Sequence, residues 1–143
     1  MLLNVITPNK TVFSEEIQEL TVSTPGGQIG ILPHHMPLVT SVLPGEMIMK
    51  IKGKESYYAV TGGFMEVNDK GVTLLADYAV HSDEIEVEKA VAAKKRAEEV
   101  LKRVKEGVSE RDFALAQSDL RRAVSELHVA NRRRRERSAM PRS

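Results

Sequence analysis

Between Ile85 and Arg137 the chain contains no proline and one glycine, whereas the residues before Ser82 are interrupted every few positions by turn formers. This change of texture is the strongest constraint on the fold. Ala, Glu, Lys, Arg, Leu and Val dominate the second stretch, and most of these residues favour helix. The chain therefore reads as a short-strand unit followed by a long helical one.

In the first unit, Leu2–Thr7, Ile17–Thr24, Leu38–Leu43, Ser56–Thr61, Phe64–Asn68 and Val72–Ala76 have the alternation or the β-branched content of strands. Met47, Met49 and Ile51 fall on one side of another strand, with Glu46, Lys50 and Lys52 on the other. Pro25-Gly26-Gly27, Pro44-Gly45, Gly62-Gly63 and Asn68-Asp69-Lys70-Gly71 supply the turns. Many short strands at this spacing argue for a β-sandwich or barrel.

The second unit divides at Gly107. Ser109 precedes Asp112 by three residues, as in a capping box with Asp in place of the usual Glu or Gln. Helices are expected over about 87–105 and about 110–135. Phe113, Ala116, Leu120, Ala123, Leu127 and Ala130 recur at spacings of three and four, and so do Ala90, Ala93, Ala97, Val100 and Val104. Two such narrow seams suit an antiparallel hairpin. Alanine buries little area, so at ~25 cal/mol per Å² the seam holds the helices together weakly. An arm that opens for a few kcal/mol can act in a switch.

Charge separates the same two units. Residues 1–81 carry five Lys/Arg against eight Asp/Glu, and residues 82–143 carry sixteen against twelve. Such asymmetry suggests different partners for the two regions. With no cysteine, disulfides and thiolate chemistry are excluded. No apolar run approaches the roughly 18 residues that span a bilayer, and the start of the chain lacks a signal-peptide pattern. The expectation is a soluble chain that can still sit on something membrane-bound.

The run from Gly27 to Gly45 (GQIGILPHHMPLVTSVLPG) resembles the signature segment of the epsilon family of F-type ATP synthase subunits. Val60-Thr61-Gly62-Gly63-Phe64-Met65-Glu66-Val67 is similar to a second hallmark of that family, and Leu74-Leu75-Ala76-Asp77 closes the strand unit as in the family. The resemblance covers nearly the whole chain. It implies an α+β fold, with a ten-stranded β-sandwich over 1–84, a regulatory antiparallel two-helix hairpin over 85–137 and a disordered tail over 138–143. It also implies a non-catalytic rotor subunit that binds the gamma subunit, the membrane c-ring and the alpha/beta catalytic head. The chain would then associate with the membrane only through the complex. Its place would be the cytoplasmic side of a bacterial cell membrane or, alternatively, the stromal side of a thylakoid membrane. In bacterial members the helices can extend along gamma and block rotation in the hydrolysis direction.

Site residues follow from the motif positions. The resemblance places Gln28, His34, His35 and Met36 in a loop forming a sandwich lip that meets gamma and the c-ring. It places Arg121 and Arg122 against an acidic surface of the catalytic beta subunits, in the inhibitory state. Some members bind ATP through Ile/Leu-Asp-x-x-Arg-Ala at the start of the first helix. The matching stretch here is Ile85-Glu86-Val87-Glu88-Lys89-Ala90, and Arg96 and Arg122 match further arginines of that site. Glu86 and Lys89 replace Asp and Arg, Lys lacks the bidentate fork, and Glu126 stands where ATP binders carry an arginine. These departures point to a weakened ATP site. Asp119-Leu120-Arg121-Arg122-Ala123 mimics the same motif on the other helix and reads as unrelated.

Other chemistry finds little support. His34-His35 reads as surface histidines, because adjacent residues ligate one ion poorly. Gly26-Gly27-Gln28-Ile29-Gly30 lacks the Lys-Ser/Thr of a phosphate loop. No nucleophile and base pair is visible, so no catalytic residue, resident cofactor or metal is assigned. Arg132, Arg133, Arg134, Arg135 and Arg137 read as a solvated basic tail. A nucleic-acid arm would want aromatic residues to stack bases, and this stretch has none. A free-standing scaffold module with a coiled-coil arm is the remaining alternative to a rotor subunit.

Overall fold

The computed structural model describes residues 1–139. Ten strands come first: β1 Leu2–Ile6, β2 Thr11–Glu16, β3 Glu19–Thr24, β4 Gly27–Ile31, β5 Leu38–Val42, β6 Gly45–Ile51, β7 Lys54–Val60, β8 Gly63–Asn68, β9 Gly71–Ala76 and β10 Ala79–His81. A 3₁₀ turn at Ser82–Glu84 leads to α1, Val87–Lys102. A second 3₁₀ turn, Arg103–Glu106, and Gly107 lead to α2, Glu110–Ala139. The strands form two five-stranded sheets, ordered β2-β1-β9-β8-β5 and β10-β7-β6-β3-β4. All pairings are antiparallel except β1 with β9.

Alternation fixes which residues face inward. Leu3, Val5, Met65, Val67, Val72 and Leu74 of the first sheet meet Leu20, Val22, Ile31, Met47, Met49 and Val60 of the second. Met47 and Met49 are buried as their strand pattern requires, and Ile51 packs against the core at its edge. Lys52 and Gly53, with φ of 49° and 80°, form the two-residue turn between β6 and β7. Two positive φ values suit the right-handed twist of a hairpin.

Three strands lie outside the runs expected from pattern. β2 alternates weakly, β10 has three residues, and β4 (Gly27–Ile31) belongs to a segment read as a loop. The last point is a correction: Gln28 is a strand residue, paired with Ser23 of β3. Glycine-rich β4 lacks the side chains that mark a strand, but its backbone completes the edge of the second sheet.

The hairpin forms as expected. Ser109 Oγ accepts the Asp112 amide at 3.1 Å and so caps α2. Ala90 and Ala97 of α1 and Ala116 and Ala123 of α2 are buried in the seam, with Ala93, Val100, Phe113, Leu120, Leu127 and Ala130 half-buried. The side chain of Val104 lies outside what the structure describes. α1 ends a little early, its last turn tightening to 3₁₀. α2 continues to Ala139, two residues into the segment expected as tail, and Met140–Ser143 lie outside the described residues.

At Gly63 the backbone of β9 approaches so closely that an added Cβ would sit 1.9 Å from the Leu75 carbonyl oxygen. Gly63→Ala should therefore lower sandwich stability by about 1–3 kcal/mol or more in urea unfolding. Gly26→Ala, whose Cβ would meet only Thr24 Oγ1 at 3.8 Å, should change it little.

Candidate functional site

α2 has 30 residues and α1 has 16, so the far half of α2 runs past the start of α1 and lies on the second sheet. Ser125, Val129 and Arg133, spaced by four, form a buried stripe on this half. Beneath it is the outer face of β6 and β7, where Glu46 and Ala59 are direct cross-strand partners and both buried. Glu46 is 7% exposed and Arg133 8%. Arg132 Nη1 donates to Glu46 Oε1 at 2.8 Å, and Arg133 Nη2 stands 3.5 Å from Glu46 Oε2. The Arg133 guanidinium carbon lies 3.3 Å from the centroid of the Tyr57 ring, and its Nη1 pairs with Glu136 at 2.7 Å. Arg137 Nη2 donates to Asp83 Oδ1 at 3.1 Å. The expectation of a solvated tail from Arg132 onward is thus corrected. Three of these arginines bind sandwich or linker groups, because a helix of this length carries them back over the sheet.

A cleft of about 390 Å³ opens where the start of α1 faces α2. Glu86, Lys89, Arg96 and Arg122 all line it, so the structure gathers the four residues implied for ATP. Glu84, Asp119, Glu126 and Tyr78 line it as well. Asp119, Arg122 and Ala123 face Glu86, Lys89 and Ala90 across the cleft, so the look-alike motif on α2 shares this site. The antiparallel hairpin brings together two stretches that are far apart in sequence.

The cleft is poorly suited to an anion. Four carboxylates (Glu84, Glu86, Asp119, Glu126) face three cations (Lys89, Arg96, Arg122). Lys89 pairs with Glu86 at 2.7 Å, and that hydrogen bond holds its ammonium pKa above the usual value. Arg122 Nε meets Glu126 at 3.4 Å, and its guanidinium carbon lies 3.7 Å from the Tyr78 centroid. Two of the three cations are therefore already engaged.

The signature segment spreads over the sandwich. Gln28 lies near Ser23, Pro44 and Gly45, in a groove that Arg121, Val124 and His128 of α2 close. His34, His35 and Pro37 lie by the β8–β9 turn around Asn68–Gly71. β4 thus carries Gln28 and the His34–Met36 loop towards opposite ends, and the four residues do not form one lip. His34 adopts φ 68°, His35 Nδ1 lies 2.7 Å from the Met36 carbonyl, and Met36 is 79% exposed. No group of three metal-ligating side chains occurs among the described residues. Arg121 and Arg122 also part company: Arg121 lines the groove beside Gln28, and Arg122 the cleft beside Tyr78.

Comparison with known proteins decides the family. The beta-sandwich domain model of the ATP synthase Delta/Epsilon chain matches residues 1–82, and the long alpha-helix domain model matches 83–131. The ATP synthase epsilon chain of Desulforamulus reducens is 42% identical over 128 residues, covering 90% of this chain and 95% of the relative. That of Halalkalibacterium halodurans is 40% identical over 130 residues, covering 91% and 96%. The chain belongs to the ATP synthase epsilon chain family. As a member of this family it is a non-catalytic subunit of the ATP synthase complex.

Solved assemblies agree. A chain in the cryo-EM structure of Euglena gracilis mitochondrial ATP synthase (OSCP/F1/c-ring, rotational state 1) superposes with a TM-score of 0.69 at 25% identity, covering 92% of this chain and 81% of that one. A chain of the Tetrahymena thermophila central stalk and c-ring shares the fold, with a TM-score of 0.54 at 14% identity and coverage of 89% and 96%. No helix among the described residues is long and apolar enough to cross a membrane.

Tyr57, Tyr78, Glu46 and Asp83 escaped sequence reasoning. The Ser125-Val129-Arg133 stripe was a usable signal, since it marks a second helix face beside the alanine seam. Burial chiefly lifts the Tyr78 phenol above its ordinary 10.0. The unfolded chain therefore ionises this group first, and the stability it contributes is lost as pH rises from 10 through the raised value. Thermal unfolding should show stability falling above pH 10, with a shallower fall in Tyr78→Phe.

Proposed function

We propose that this chain couples the gamma subunit to the c-ring in proton-driven ATP synthesis, and that its hairpin inhibits ATP hydrolysis when it extends towards the catalytic head. The observation that carries the coupling role is the bare outer face of the first sheet. Phe64 of β8, 65% exposed, is the cross-strand partner of Leu75 of β9, and Leu75 is in turn paired with Ile6 of β1. Val39 of β5, 75% exposed, extends the same face. Large apolar side chains clustered in the open mark an interaction surface. The hairpin covers the other sheet, so a partner can hold the sandwich while the helices stay free to move. The His34–Met36 loop, with its exposed Met36, projects from one end of the sandwich and fits a contact with the c-ring.

The inhibitory role rests on how lightly the hairpin is held. Its alanine seam buries little area, and its attachment to the sandwich is one helix face with a few charged pairs. Arg121, exposed on α2, is presented to an acidic surface in the catalytic head. Arg122 can reach one only after leaving Tyr78. The chain would lie on the side of the membrane that carries the catalytic head, the cytoplasmic side in a bacterium.

Reconstitution with gamma, the catalytic subunits and the c-ring tests both roles. Phe64→Asp should weaken binding to gamma by about tenfold or more, and a chain ending at Ile85 should bind gamma normally yet restore ATP hydrolysis. Unchanged affinity for Phe64→Asp would overturn the docking face. Equal hydrolysis with and without the hairpin would overturn inhibition.

ATP is at most a weak ligand of the cleft in this reading, because its phosphates would meet Glu126 and cations already paired. Calorimetry on the full chain should give a Kd no tighter than about 1 mM, and Glu126→Arg should tighten it. Micromolar binding by the native chain would contradict this account.

A further inference from the structure

We infer that the hairpin is held on the sandwich by an arginine lock, in which Glu46, Tyr57 and Asp83 capture Arg132, Arg133 and Arg137, and that breaking Glu46 from Arg133 releases the far half of α2. This rests on the reading of the hairpin as a detachable arm and names what detains it.

The lock is built from the least exposed charges at the boundary. Glu46 and Arg133 are the two charged residues buried among the described residues, and they sit on opposing elements. Glu46 Oε1 accepts from Arg132, while its Oε2 faces Arg133 at 3.5 Å. Arg133 lies over the Tyr57 ring and pairs with both oxygens of Glu136. Arg137 reaches Asp83 in the linker that joins sandwich and hairpin. The contacts span one turn and a half of α2 and touch the sheet and the linker.

Burial decides why such a lock acts as a release point. A buried ion pair adds little compared with apolar packing, but removing one member costs the other a buried partner: without Glu46, Arg133 keeps only Glu136 of its own helix, and without Arg133, the Glu46 carboxylate keeps only Arg132. Undocking α2 returns the remaining charge to solvent. A small change at Glu46 therefore converts the docked surface from tolerant to repulsive, whereas the alanine seam has no comparable element. Lysine cannot replace Arg133, since it lacks the flat fork that covers Tyr57 and reaches two carboxylates together.

Amide hydrogen exchange on the full chain, read by mass spectrometry, separates the two units. In Glu46→Gln and in Arg133→Lys, exchange of residues 120–137 should rise about tenfold or more, while 63–76 in the sandwich stay protected. Glu46→Met combined with Arg133→Met should exchange more slowly than the separate effects of Glu46→Met and Arg133→Met multiplied together, since neither buried charge is left without its partner across the boundary. Native-like exchange of 120–137 in the single variants, or multiplied single effects in the double one, would overturn the lock. So would loss of protection at 63–76, which would assign Glu46 to sandwich stability. Hydrolysis by the reconstituted complex carrying Glu46→Gln distinguishes the underlying reading. Faster exchange with stronger inhibition supports both, and faster exchange with unchanged hydrolysis keeps the lock and removes the inhibitory role.

Discussion

The arrangement of the molecule depends on one contact, the far half of α2 laid across the outer face of β6 and β7. Val129 is fully buried there, and Ala59 and Glu46 of the sheet are buried as well. Without this contact the sandwich would still have its own core, closed by alternation between the two sheets. The hairpin would not, because its seam is mostly alanine and a two-helix unit buries little apolar area by itself. The sandwich is therefore self-sufficient, and the hairpin depends on what it rests against. That asymmetry suits a chain with one part for holding a partner and another for moving.

Much of the sandwich was legible because its physics is local. Alternation in β6 placed Met47 and Met49 inside, and the Gly and Pro clusters marked most turns. β4 was not legible, since Gly27-Gln28-Ile29-Gly30-Ile31 carries few side chains with a preference, and its strand character comes from pairing with β3. The helix boundaries followed from Gly107 and the Ser109 cap. The alanine seam was read correctly as a hairpin seam for the same local reason.

The boundary between the two units was much less legible. Which charged residues meet across it depends on the length of α2 and on its rotation over the sheet. Arg132 and Arg133 look like members of an undifferentiated basic run, but adjacent helix residues point about 100° apart. One can therefore be buried against Tyr57 while its neighbours stay exposed. The same rotation separates Arg121 from Arg122, and it brings Asp119 to the cleft opposite Glu86. Motif matching placed Glu86, Lys89, Arg96 and Arg122 in one site, and the structure gathers them. It could not show that acidic residues added from α2 and the linker bring the carboxylates to four against three cations.

The two charged regions on α2 therefore have different consequences for movement. At the cleft, Arg122 stacks on Tyr78 and is still half open to solvent, so its pairing with Glu126 is screened and readily exchanged. At the far end, Arg133 and Glu46 are shielded, and any separation exposes both to water at once. Detachment of the hairpin must pass through that second region, because α1 packs chiefly on α2 and moves with it. A ligand in the cleft would touch the near end of this contact and leave the far end intact. Under the proposed arginine lock, control of the hairpin lies with whatever changes the surroundings of Glu46 and Arg133, and the cleft at the start of α1 is secondary to it.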